Sequence, residues 1–116
     1  MTRAGTARHG ARRDSNEPDI ITALVEAGCI VETLSKKGVP DLLVWSPFQT
    51  RIILIEVKDP GASKKKRDLN EHQAAFHSRW RSVGAPVYKV SSIDGALIAA
   101  GALDARFDDD TQESGT

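Results

Sequence analysis

The sequence predicts a mixed α/β domain: a β-sheet flanked by helices, in the order α-β-β-β-α-β-α. Three observations lead there. Two runs rich in β-branched and large apolar residues, Gly38 to Trp45 and Arg51 to Lys58, are joined by a five-residue turn containing Pro47. Apolar residues recur at helical spacing before and after that pair. A further short strand-like run, Val87-Tyr88-Lys89-Val90, follows the second helical stretch, and such alternation favours helices packed on the faces of a sheet.

The chain has 116 residues, with 16 basic and 16 acidic side chains, so it carries one small domain and no formal net charge. That balance argues against generic coating of a polyanion but permits a local basic patch. Residues 1–15 form a basic head (Arg3, Arg8, Arg12, Arg13) and residues 104–116 an acidic tail (Asp108, Asp109, Asp110, Glu113). Neither shows apolar periodicity, so both are expected to be disordered around a folded domain at 16–103. A single cysteine, Cys29, excludes an internal disulfide framework and suits a reducing compartment. No apolar run approaches the roughly 20 residues needed to span a bilayer, and a cytoplasmic protein is expected.

Asn16-Glu17-Pro18-Asp19 reads as a helix start, with Asn16 as N-cap, proline in the first turn and acids near the positive end. The helix runs from Ile20 to about Ala27 and stops at Gly28. Glu17 falls on its buried stripe with Ile21 and Leu24, whereas Asp19 takes the position of a capping-box acid. Both acids can also be read as dipole complement and capping. A short strand, Cys29 to Leu34, leads through a polar turn into Pro40-Asp41.

If Ser46 pairs with Arg51 across the turn, antiparallel counting sets Asp41 opposite Glu56, where Cβ atoms lie roughly 4.5–5.5 Å apart. Glu56 and Lys58 share that face. Two carboxylates so placed repel each other unless they share a cation, and all-oxygen donors suit Mg²⁺ or Mn²⁺ better than zinc. The carbonyl of Val57 is a third candidate donor. Lys58 would then hold a water or steady negative charge on a phosphodiester.

Asp59 to Arg67 is a loop whose Lys64, Lys65, Lys66 and Arg67 are either a solvated charge run or phosphate contacts. Asn70 caps the second helix. Leu69, Gln73, Phe76, Trp80 and Val83 share one stripe, and His72 and His77 lie on different faces, both expected to be exposed. Gln73 is explained either by a capping box or by reaching toward the acidic strand end. Gly84-Ala85-Pro86 ends this helix. After the Val87–Val90 strand, Ser91 or Ser92 caps a last helix from Ile93 to about Ala100, with Leu97 inward.

Pro40-Asp41 followed by Glu56-Val57-Lys58 resembles the PD-(D/E)XK nuclease motif. Gly38-x-Pro40-Asp41-Leu42-Leu43-Val44, Glu56-Val57-Lys58-Asp59 and Leu69-Asn70-Glu71-His72-Gln73, with Trp80 and Gly84, resemble the virus-type replication-repair nuclease (VRR-NUC) branch. That branch includes small stand-alone phage proteins, and the resemblance covers about residues 16–98. It implies a restriction-endonuclease-like core and a Mg²⁺- or Mn²⁺-dependent, structure-specific endonuclease. Asp41 and Glu56 would be metal ligands, Lys58 the catalytic lysine and Gln73 the active-site glutamine. The first-helix acid best matches Glu17, with Asp19 as rival. The resemblance further implies a homodimer acting on branched DNA such as Holliday junctions, in phage replication, recombination or repair. The alternatives are a non-catalytic DNA-binding or protein-interaction module on the same scaffold, or a restriction-type endonuclease.

Overall fold

The computed structural model describes residues 15–61 and 68–104, together with the backbone of 112–113. The elements are α1 (Glu17–Glu26), β1 (Ile30–Thr33), β2 (Leu42–Ser46), β3 (Arg51–Val57), α2 (Glu71–Arg81), β4 (Val87–Val90), α3 (Ile93–Ala99) and a two-residue β5 (Gln112–Glu113). The order matches the expected one up to α3, and β5 adds to it. The rest of the expected head and tail lies outside the described residues.

One sheet runs β1-β2-β3-β4-β5. The first three strands are antiparallel, β4 runs parallel to β3, and β5 is antiparallel to β4. The hairpin closes with Ser46 opposite Arg51, as the turn length predicts. At its other end the ladder stops at Leu42 opposite Ile55. β2 therefore starts later than Gly38. Pro40 has no N–H to give a ladder, and Asp41 meets β3 through its carboxylate instead.

Ile20 and Leu24 of α1, together with Ala96, Ala99 and Ala100 at α3, pack on Leu42, Val44, Ile53, Ile55, Val57, Tyr88 and Val90. This is the main core. Ile20 takes the place expected of Ile21, which is only partly buried. The buried Ser46 hydroxyl donates to Ala100 O, and Ser92 Oγ caps α3 by accepting from Gly95 N at 2.9 Å.

The opposite face is covered unevenly. α2 lies against β4, with Phe76 and His77 buried, while Ile30, Trp45 and Ile52 form an exposed cross-strand row on β1, β2 and β3. β3 is thus covered on both faces only toward Val57. Two expectations for α2 also change. His77 is buried, whereas Trp80 and Val83 are exposed, because a helix covering only part of a sheet buries a narrow arc of its surface.

Candidate active site

The sheet end where β3 and β4 finish gathers most of the residues singled out from the sequence. Asp41 Oδ2 accepts a hydrogen bond from Val57 N at 2.8 Å, which fixes its carboxylate beside the last residues of β3. Gly38 makes this approach possible. It sits at φ +81°, and a Cβ there would lie 3.1 Å from His72 Cβ in the first turn of α2. The turn before Asp41 therefore lies directly against the helix that carries Gln73.

Glu56 and Lys58 are both buried at the end of β3, although charges are seldom found there without partners. Gln73 links them: its Nε2 donates to Glu56 Oε2 at 3.0 Å, and its Oε1 accepts from Lys58 Nζ at 2.9 Å. The same Oε1 accepts from Asn70 N at 3.0 Å, while Asn70 Oδ1 accepts from Gln73 N at 2.9 Å. The two explanations offered for Gln73 are therefore true together: it closes the capping box of α2 and bridges the buried acid and lysine.

Glu17 is buried at the start of α1, and Asp19 is exposed. Its neighbour Asn16 donates from Nδ2 to Lys58 O and Ser91 O, each at 3.2 Å, which ties the start of α1 to the ends of β3 and β4. Among the described residues no three His, Cys, Asp or Glu side chains gather as a metal group, so Glu17 does not join Asp41 and Glu56 in one. What remains is two carboxylates and the main chain around Val57. All-oxygen donors of this kind would suit Mg²⁺ or Mn²⁺, with water supplying the remaining ligands. Lys64, Lys65, Lys66 and Arg67 lie outside the described residues.

Three residues of this region escape a reading from sequence. Asn16 carries the signature of a cap and gives no hint of its long-range bonds. Lys89 faces the same side of the sheet as its ladder partner Glu56, a pairing visible only once β4 is known to run parallel to β3. His77 is buried, and desolvation together with the charges of Arg81, Lys58 and Lys89 lowers its pKa to about 4. It is therefore a neutral imidazole among cations.

No described helix is long and apolar enough to cross a membrane. A comparison with curated proteins finds no match. Residues 15–92 match the sequence model of the VRR-NUC domain. A solved structure described as a VRR-NUC domain superposes with a TM-score of 0.54 at 31% identity, covering 72% of this chain and 94% of that one. The matched span takes in the starts of α1 and α2, the hairpin and the Glu56–Gln73–Lys58 bridge. On these grounds the chain belongs to the VRR-NUC domain family and is a nuclease-type DNA-processing domain.

Proposed function

We propose that this domain is a metal-dependent, structure-specific endonuclease that hydrolyses phosphodiester bonds in branched DNA of the Holliday-junction kind. The observation that carries the reading is the bridge through Gln73, which holds a buried carboxylate and a buried ammonium in fixed relation at one strand end. A merely structural ion pair needs no such amide between its members, and burying both charges is costly without a functional return. Asp41, Glu56 and the Val57 carbonyl would hold Mg²⁺ or Mn²⁺, which when bound lowers the pKa of a water and neutralises charge on the phosphodiester. Lys58, fixed by Gln73, presents its ammonium to the attacking water or to a phosphate oxygen, where negative charge grows during in-line displacement. Glu17, buried beside Asn16, would add a further carboxyl group at this end of the sheet.

The substrate-binding role falls to Lys64, Lys65, Lys66 and Arg67, a basic run in the segment between β3 and α2 whose charge suits phosphate contact. A homodimer is supported by the exposed apolar row Ile30–Trp45–Ile52, since an uncovered sheet face of this kind marks protein contact. Two-fold symmetry would then present two sites to two strands of a junction. The resemblance to stand-alone phage members supports a place in phage DNA replication, recombination or repair.

The deciding experiment is a cleavage panel of four-way junction, flap, linear duplex and single strand, in Mg²⁺ and in Mn²⁺. The reading expects metal-dependent cutting that is strongest on the branched substrates. DNA binding without cutting of any substrate would make the protein a non-catalytic module, and sequence-dependent cutting of linear duplex would make it a restriction-type enzyme.

A further inference from the structure

Trp80 is an anomaly in α2. Its indole stacks on Phe76 with ring centroids 5.1 Å apart and planes 14° from parallel, yet the residue is 41% exposed. One ring face is thus supported from beneath, and the exposure falls on the other face and the edges. Arg79 is exposed beside it, with its guanidinium 5.6 Å from the centre of the same Phe76 ring. After Glu71, α2 contains no acid, although the whole chain has as many acids as bases. A rigid, half-open aromatic next to arginine is the composition that binds unpaired bases, the ring stacking on the base and the cation meeting its phosphate. Tryptophan beside arginine also suits protein contacts; what favours DNA here is that Trp80 stands on the helix that carries Gln73, in a nuclease-type domain.

Position along the helix adds to this. Trp80 lies seven residues from Gln73 on the same stripe, about 10 Å further along the axis. At 3.4 Å per nucleotide in a stacked strand, that distance spans about three nucleotides. We propose that Trp80, backed by Phe76 and flanked by Arg79, is a stacking platform for an unpaired DNA base about three nucleotides from the scissile phosphate. It would read the branch point by its loss of stacking, with no base-edge contacts. This inference rests on the nuclease reading for its geometry, but it makes a binding prediction that needs no cleavage.

The chain has two tryptophans, so Trp45→Phe leaves Trp80 as the single fluorescent indole. Titration of that protein in EDTA with a single-stranded oligonucleotide and with a four-way junction should quench the emission as the DNA binds. Trp80→Ala should weaken junction binding about ten-fold, with the salt dependence of binding unchanged, and Trp80→Phe should restore most of the loss. A thermal melt of each variant separates stacking from unfolding. Saturated binding by anisotropy without quenching would overturn the proposal. So would Trp80→Ala binding DNA like the parent, or a change in oligomeric state with DNA affinity intact. Quenching of Trp80 in the Trp45→Phe protein, with a wild type that cuts nothing, would sink the nuclease reading and leave the platform standing. Cutting without quenching would do the reverse.

Discussion

The two helices that meet at the site both begin on asparagine, and comparing their first turns shows what a short motif can and cannot say. At α2, Asn70 adopts extended backbone geometry, its side chain caps Gln73 N, and the box closes from Gln73 back to Asn70 N. At α1, Asn16 stands in the same position with helical φ and ψ of −85° and −5°, and its side chain makes no capping bond. Its amide goes instead to two carbonyls, 42 and 75 residues away, at the ends of β3 and β4. Its buried Oδ1 accepts no hydrogen bond among the described residues, a cost that the two long-range bonds must offset. One asparagine serves its own helix, and the other braces the strand end that carries Lys58.

Within the two helix starts, the largest effect should come from Gln73→Glu. A glutamate keeps the capping-box acceptor, so the start of α2 itself stays intact. It also sets a third carboxylate against Glu56 in place of an amide donor, and cleavage should fall about 100-fold. Cleavage at the parent rate would show that the bridge plays no part in catalysis.

Next in size is the asparagine pair itself. Asn16→Ala strips a donor from two carbonyls and should cost about 1–3 kcal/mol by chemical denaturation. It should also slow cleavage, because Lys58 loses its main-chain brace. Asn70→Ala should cost about 1 kcal/mol and leave cleavage nearly unchanged, since the Asn70 N–H still bonds Gln73. A reversal of the two phenotypes would break the comparison.

The smallest effect is a pH slope. His77 has a pKa of about 4 in the folded protein and a reference value of 6.5. Between those values the unfolded chain takes up a proton that the folded one refuses. Stability therefore falls as pH drops from 6.5 toward 4, and that part of the decline should vanish in His77→Gln. Denaturant midpoints measured across this window check it; an identical slope in the variant would leave His77 without a part in acid sensitivity.

These residues also mark how far the sequence reaches. The hairpin register was legible because a Pro-containing turn between Ser46 and Arg51 leaves little freedom, and it set Asp41 near the end of β3. Glu56 and Lys58 stood out because two charges ended an apolar strand. Gln73 was legible as a choice between two roles, though not as both at once. What stayed hidden depends on contacts distant in sequence. Periodicity gives the direction of an apolar stripe but not the width of the surface beneath it, so His77 was misplaced outside and Trp80 inside. Asn16 carries the same local signature as Asn70, and only the packing of α1 over the ends of β3 and β4 separates them.

Single-turnover cleavage of a four-way junction by Glu56→Gln, beside the wild type in Mn²⁺, tests the account most directly. The substitution keeps the size of the side chain and removes its charge from the proposed ligand set. The account predicts a folded protein that binds the junction and leaves it uncut at the limit of detection. Cleavage at the wild-type rate would contradict it.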